Sequence, residues 1–139
     1  MKKKNPFVNA ERAVEAARRG EMMIIVDGPS REDEADFFVP ADAITPTQVH
    51  TMITRGGGIL CTAITRETAA RLSLPPMIPR GENTESTGVA FTVSMNAKQG
   101  TTTGVSAHDR VKTIRLLAKP NAKADDFTRP GHVFGLIAR

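Results

Sequence analysis

The pattern of apolar positions over the first forty residues predicts a helix followed by two strands. The helix is indicated by apolar residues at a spacing near 3.6, and Gly20 supplies its stop signal. Those apolar positions are Phe7, Ala10, Val14 and Ala17. The continuous apolar run 22–26 predicts a buried strand, residues 27–30 (Asp-Gly-Pro-Ser) a tight turn, and residues 37–39 a returning strand.

The next segment carries the signals of a helix start. Thr45 is placed to cap the helix, Pro46 suits its first position, and Gln48 has the spacing that closes a capping box. The three glycines 56–58 predict its end, and the apolar run 59–64 predicts another buried strand.

The second half of the chain adds two helices and two strands. Ser106 and Asp109 stand in capping-box spacing before one of these helices. The predicted elements are a short helix at 65–72, a long loop at 75–88, a strand at 90–95, a helix that begins after 106 and a strand at 133–137. Strands and helices do not alternate strictly, so we predict an α+β fold: a single domain over residues 1–139, with a mixed β-sheet flanked by helices and a frayed basic end at residues 1–8.

Composition narrows the classes of protein. One cysteine in 139 residues excludes an intrachain disulfide, and no apolar run has the length of a membrane span or of a secretory signal. We therefore expect a soluble cytoplasmic protein with no membrane partner. The pI near 9.6 raises a nucleic-acid-binding domain as an alternative. The aromatic content of 4% and the lack of a basic stripe argue against it, so no nucleic-acid partner is expected.

The densest polar cluster is residues 31–36, Arg-Glu-Asp-Glu-Ala-Asp. If this segment is extended, Glu32, Glu34 and Asp36 share one face, where their mutual repulsion would call for a cation or Arg31 among them. Oxygen ligands favour a hard ion such as Mg²⁺. The alternative is a solvated acidic turn.

A second cluster, residues 101–106 (Thr-Thr-Thr-Gly-Val-Ser), lies directly before a predicted helix. Small hydroxyl residues and a glycine let backbone N–H groups approach an anion there, and Arg110 could add a charge-assisted contact. The alternative is a well-capped helix with no ligand.

A third cluster is residues 129–132, Arg-Pro-Gly-His. His132 lies where a constrained Pro-Gly backbone meets an apolar strand, and a histidine can exchange protons near neutral pH. A structural histidine is the alternative. Cys61 is read as a small buried apolar residue that could line a pocket.

These clusters occur in an order that resembles the 3,4-dihydroxy-2-butanone 4-phosphate synthase family. The matching blocks are R-E-x-E-G-D at 31–36, the glycine-then-cysteine strand at 58–61, F-T-V at 91–93, T-T-G-[VI]-S-A-x-D-R at 102–110 and R-P-G-H-V-F at 129–134. The resemblance runs from about residue 10 to residue 136.

The resemblance implies a Mg²⁺-dependent lyase (Mn²⁺ is possible) of riboflavin biosynthesis, and a homodimer. D-ribulose 5-phosphate is enolised, dehydrated and rearranged, and one carbon leaves as formate while the metal stabilises the enediolate. Within this framework Glu32 is a metal ligand and His132 the acid–base residue. The residues implied at the substrate are Arg31, Glu32, Asp36, Cys61, Thr103, Ser106, Asp109 and Arg110.

The chain departs from the family pattern in several places. Ala35 stands in place of a glycine, residues 28–30 in place of a more acidic stretch, and Gly135 in place of a proline. The family's G-H-T block, whose histidine is the second metal ligand, and its essential glutamate have no counterpart before Arg139. The expectations are a fragment, a partner that supplies those groups, or a non-catalytic relative that binds a sugar phosphate or serves a structural role. An incomplete sheet also predicts oligomerisation through an exposed edge.

Overall fold

A computed structural model of the chain describes residues 9–28, 32–79 and 81–138. Its strands are β1 (Met23–Val26), β2 (Ala35–Phe38), β3 (Cys61–Ile64), β4 (Phe91–Ala97) and β5 (Phe127–Ile137). Its α-helices are α1 (Ala10–Arg18), α2 (Pro46–Thr51), α3 (Arg66–Arg71) and α4 (Ala107–Leu117). A π-helical turn, Met52–Gly56, continues α2, and a 3₁₀ turn, Ala124–Asp126, precedes β5.

The main sheet is mixed and has three strands in the order β3-β5-β4. The central strand β5 runs parallel to β3, with Cys61 opposite Phe134, and antiparallel to β4. Strands β1 and β2 form a separate antiparallel pair. The predicted α+β fold with a mixed sheet and flanking helices is confirmed.

The helix signals read from the sequence act as expected at α2. The backbone N–H of Gln48 donates to Thr45 Oγ1, the side chain of Gln48 accepts from the Thr45 N–H, and Pro46 opens the helix. The end lies one residue into the predicted glycine run, because Gly57 adopts the left-handed conformation (φ 70°) that closes the π-helical turn.

The core lies where α2 and α4 pack beside the sheet. Its fully buried side chains are Val49, Leu72, Leu74, Met95, Thr92, Thr113 and Val133. Thr113 joins α4 to β4, since its hydroxyl accepts from the Ala97 N–H at 2.8 Å. This contact sets the middle of α4 against the end of β4.

Strand β1 is not buried, contrary to the sequence prediction. Ile24, Ile25 and Val26 are 62%, 51% and 48% exposed. In the described ranges β1 pairs only with β2, so the hairpin stands outside the three-stranded sheet and its apolar side chains keep much of their surface in solvent. An apolar run alone predicts a strand, whereas its burial depends on which elements pack on it.

None of the helices in the described ranges is long and apolar enough to cross a membrane.

Candidate active site

The loop 101–106 is held by a carboxylate of the chain itself. Asp109, which is only 3% exposed, accepts through Oδ2 from the Thr102 N–H at 3.1 Å, the Thr102 hydroxyl at 2.8 Å and the Gly104 N–H at 3.1 Å. The hydroxyl bond from Thr102, followed by the two backbone bonds, lowers the pKa of Asp109 against the opposing effect of burial. Asp109 is therefore ionised and organises the loop.

This arrangement corrects one sequence expectation and bears on a pair of open alternatives. The capping box at α4 is only half formed: Ser106 Oγ accepts from the Asp109 N–H at 3.1 Å, but the Asp109 carboxylate turns to the loop instead of returning to Ser106. The backbone N–H groups of Thr102 and Gly104, which one of the two alternatives assigned to an external anion, already donate to Asp109. The geometry favours the capped-helix alternative.

The remaining residues of this cluster lie at its surface. Thr103 and Ser106 are exposed, and Arg110 is half-buried, with Nε donating to the Val105 carbonyl at 2.9 Å. Direct contact of Thr103, Ser106, Asp109 and Arg110 with a substrate stays a prediction.

The Arg-Pro-Gly-His block forms a large bulge inside β5, not a connection before it. Met95 pairs with Val133, whereas the next residue of β4, Asn96, pairs with Thr128. Residues 129–132 thus lie between two consecutive pairings, and the Arg129–Pro130 peptide bond within them is cis. The bulge removes His132 from the regular ladder.

Gly131 is required where the bulge touches β4. A Cβ at this position would lie 2.0 Å from the carbonyl carbon of Met95, a backbone atom that cannot yield as a side chain could. The sequence indicated an unusual backbone path here, and the close approach is its cause.

Polar side chains of β4 replace the ladder bonds that the bulged region of β5 lacks. Thr92 Oγ1 accepts from the Gly135 N–H at 3.0 Å, and Ser94 Oγ accepts from the Gly131 N–H at 3.1 Å. Asn96 Oδ1 accepts from the His132 N–H at 2.9 Å. Gly135, which departs from the family's proline, uses an N–H that proline does not have.

Asn96 links the two clusters and was missed from the sequence. Its Oδ1 also lies 3.3 Å from His132 Nδ1, and its Nδ2 donates to the Thr103 carbonyl at 3.5 Å. The strand prediction stopped at Met95, two residues before the end of β4 at Ala97. The signal was present, because Thr92, Ser94 and Asn96 form an alternating polar stripe on an otherwise apolar strand.

The acidic cluster adopts a turn and not one extended face. Asp27 organises it by accepting from the Glu32 N–H at 3.2 Å and from the Glu34 N–H at 2.8 Å. Asp33 has φ 54°, so the chain bends between Glu32 and Glu34, and only Asp36 lies in β2. The segment is therefore not extended throughout, the condition for a shared face of the three carboxylates is not met, and the local structure is that of the alternative, an acidic turn. Arg31 lies outside the described residues.

The substitution at Ala35 is accommodated without strain. Ala35 pairs with Val26 in the β1–β2 ladder and is not among the residues of positive φ, which fall instead on Asp33 in this turn. The glycine-specific conformation considered for position 35 is absent.

Cys61 is partly buried, and the charge of Asp36 acts on its thiol. Burial raises the pKa of the Cys61 thiol, and the Asp36 carboxylate raises it further. A raised pKa disfavours the thiolate, so Cys61 suits a pocket wall better than a nucleophile. Because Cys61 pairs with Phe134, two residues beyond His132, the start of β3 and the β5 bulge lie at the same end of the sheet.

The described residues do not form a complete cation site. Within residues 9–28, 32–79 and 81–138 no three His, Cys, Asp or Glu side chains come close enough to hold a metal ion. Glu32 is exposed and contributes at most one carboxylate.

The comparisons with known proteins agree with this architecture. The family model described as 3,4-dihydroxy-2-butanone 4-phosphate synthase matches residues 11–139. The chain is 47% identical over 135 residues to riboflavin biosynthesis protein RibBA of Aquifex aeolicus, covering 96% of this chain and 33% of that protein. It is 49% identical over 127 residues to the 3,4-dihydroxy-2-butanone 4-phosphate synthase of Chromobacterium violaceum, covering 91% and 60%.

Solved structures show the same fold. A 3,4-dihydroxy-2-butanone 4-phosphate synthase in complex with two magnesium ions superposes with a TM-score of 0.90 at 40% identity, over 96% of this chain and 61% of that one. The corresponding synthase of Candida albicans gives 0.84 at 40% identity, over 96% and 64%. The chain thus spans between about a quarter and three-fifths of the length of the curated relatives it matches. On the family model and these identities, the chain belongs to the 3,4-dihydroxy-2-butanone 4-phosphate synthase family.

Proposed function

We propose that this chain carries part of the active site of a 3,4-dihydroxy-2-butanone 4-phosphate synthase, a lyase of riboflavin biosynthesis located in the cytoplasm. The five-carbon D-ribulose 5-phosphate is converted to the four-carbon L-3,4-dihydroxy-2-butanone 4-phosphate and formate. The observation that carries the proposal is the hydrogen-bonded connection between the His132 bulge and the Thr103 loop through Asn96. It supports one reaction centre at this end of the sheet.

His132 is the acid–base residue in this proposal. The ring is half-buried, so it is reachable by a substrate while its orientation is restrained by Asn96. Thr103 lies exposed on the loop that Asn96 joins to His132, and Arg110 lies in the first turns of α4. A hydroxyl and a guanidinium group suit the oxygens of a phosphorylated sugar.

The wall of the proposed active site opposite His132 is supplied by Asp36, Glu32 and Cys61. The effect of the Asp36 charge on the Cys61 thiol and the position of Cys61 at the start of β3 support this placement. The same family motif assigns Arg31 to the substrate, and this residue lies outside the described ranges.

Dependence on Mg²⁺, or on Mn²⁺, is part of the proposal, with Glu32 as one ligand. A structural relative contains two magnesium ions. Since the described residues lack a three-ligand cluster, the other ligands would come from groups outside them.

We also propose that the protein forms a homodimer. The support is the half-exposed apolar surface of the β1–β2 hairpin, which includes Ile24, Ile25 and Phe38. Apolar side chains grouped on one hairpin are typical of surfaces that meet a partner.

Formate release from D-ribulose 5-phosphate tests the proposed activity, with Mg²⁺ present and again with a chelator. We expect metal-dependent formate, lowered about 10²–10⁴-fold by His132→Ala, the range for loss of a general acid–base group. Glu32→Ala should also lower it and raise the metal concentration required. His50→Ala, at an exposed position of α2, and Glu82→Ala, at an exposed position of the long loop, are the matched controls and should keep full activity.

The incomplete cation site favours a second candidate, a non-catalytic relative that binds the sugar phosphate or serves a structural role. A folded chain that binds ribulose 5-phosphate in calorimetry but releases no formate with either metal would establish binding without turnover. A chain that neither binds nor turns over the sugar would contradict both the synthase activity and the sugar-binding role and leave only the structural role.

A further inference from the structure

We propose that Asn96 is a positioning residue that holds neutral His132 in its Nδ1–H tautomer and so leaves Nε2 as the proton-accepting nitrogen. The evidence is the set of three contacts that the Asn96 amide makes with His132 and Thr103. The catalytic meaning of the tautomer rests on the proposed function, but the tautomer itself does not.

The orientation of the Asn96 amide is fixed by two backbone groups of opposite character. The His132 N–H is a donor and requires the amide oxygen at 2.9 Å, while the Thr103 carbonyl accepts and requires the amide nitrogen at 3.5 Å. Reversing the amide would place donor against donor and acceptor against acceptor. The oxygen therefore faces His132.

The orientation of the amide determines where the imidazole carries its proton. Oδ1 lies 3.3 Å from Nδ1, and an amide oxygen can only accept a hydrogen bond. With two lone pairs it accepts from both the backbone N–H and the ring of the same residue. A neutral imidazole can donate a hydrogen bond to Asn96 Oδ1 only if its single proton is on Nδ1. The other ring nitrogen, Nε2, is then unprotonated.

Tight packing prevents the Asn96 side chain from moving away. A Cβ on Gly104 would lie 2.1 Å from Asn96 Nδ2, so the loop backbone covers the amide closely. Gly104 has φ 83°, a conformation in which a glycine is favoured, and its N–H is held by Asp109. The loop thus fixes Asn96, and Asn96 fixes the ring.

The tautomer is measured by two-bond ¹H–¹⁵N correlation NMR of the full chain without substrate, at a pH where the rings are neutral. Free neutral histidine prefers the Nε2–H form, so the proposal predicts the opposite pattern for His132. The two other histidines, His50 and His108, are exposed and serve as references within the same spectrum. An Nε2–H pattern for His132 would overturn the proposal.

Three variants separate positioning from a general effect on folding. Asn96→Ala should return His132 to the Nε2–H form, while Asn96→Asp keeps an acceptor opposite Nδ1 and should preserve the Nδ1–H form. Asn121→Ala, at an exposed position, is the matched control and should leave the spectrum unchanged. Signals of His50 and His108 that stay in place show that the fold persists. Retention of Nδ1–H in Asn96→Ala would contradict the role of Asn96.

The kinetic consequence is tested separately. If the chain releases formate, Asn96→Ala should lower kcat with little change in KM, and Asn96→Asp should restore part of it, because the ring and not substrate affinity is affected. If the unsubstituted chain releases no formate, the proposed function fails while the NMR result still decides the tautomer.

Discussion

The buried carboxylate of Asp109 is the anion to which the donors of the loop 101–106 bind. Three donors converge on its Oδ2, from Thr102 and Gly104. Their combined effect lowers the pKa of Asp109 in the folded chain, first through the Thr102 hydroxyl. The negative charge at the start of α4 is also favourable to the helix dipole.

Replacing Asp109 should destabilise the protein in a pH-dependent way. Because its folded pKa lies below the unfolded value, the stabilisation by Asp109 is fully present above the unfolded pKa of about 4 and is lost as pH falls through the folded pKa. We expect Asp109→Asn to lower the free energy of unfolding at pH 7, and the difference from the unsubstituted chain to shrink below about pH 4. Urea unfolding at pH 7 and at pH 3 measures both values.

Asp125→Asn is the control for this experiment, since Asp125 is an exposed acid in the 3₁₀ turn. It should have little effect at either pH. A deficit of Asp109→Asn that stays constant between pH 7 and pH 3 would show that the carboxylate charge is not what holds the loop.

At the scale of the elements, the decisive feature is the bulge of β5 packed on β4. Four residues, 129–132, are accommodated between two neighbouring pairings because Gly131 lets the two backbones approach. The stripe of hydroxyl and amide side chains on β4 satisfies the N–H groups that the ladder does not. The hydrogen bonds that join β4 to the bulged part of β5 therefore also position the backbone of the candidate site.

Gly131→Ala should be strongly destabilising. The added Cβ would meet the Met95 backbone at 2.0 Å, and relief requires the strands to separate at the bulge. We expect a loss on the order of 3 kcal/mol in the free energy of unfolding, at the upper end of overpacking costs. Gly58→Ala is the matched control, since its Cβ would have nothing within 4 Å. Equal stability of the two variants in chemical denaturation would show that the close approach is not present in solution.

At the scale of the whole molecule, the β1–β2 hairpin stands apart from the three-stranded sheet. It pairs with no strand of the main sheet in the described ranges, and Phe37 is its contact with the π-helical turn, beside Gly56. Ile24 and Ile25 are more than half exposed, at 62% and 51%. Covering such side chains on association is favourable by about 25 cal/mol for each Å² of apolar surface buried.

The proposed homodimer can be tested through this hairpin. We expect sedimentation velocity to show a concentration-dependent dimer, and Ile24→Ser to raise its dissociation constant at least about tenfold, because a twofold interface loses the side chain twice. Ile78→Ser, at a residue 46% exposed in the long loop, is the control and should not alter association. A monomer at all concentrations, or equal effects of the two variants, would contradict dimerisation through the hairpin.

The sequence by itself determined most of the local structure. Caps at Thr45 and Ser106 begin helices as expected, a short helix forms within the predicted range 65–72, and apolar runs mark the strands. These signals depend on residues three or four positions apart, so they act before any tertiary contact forms. The order of the polar clusters was likewise sufficient to indicate the family.

The tertiary structure alone decided which polar groups meet. Asn96 and His132 are 36 residues apart, and neither periodicity nor capping rules connect them. The burial of β1 was mispredicted for the same reason, because burial depends on the elements that pack on a strand and not on its own composition. Asp109 was expected to close a capping box by accepting one hydrogen bond from the Ser106 N–H. Its carboxylate instead accepts three hydrogen bonds from the loop, and this larger set stabilises the observed orientation.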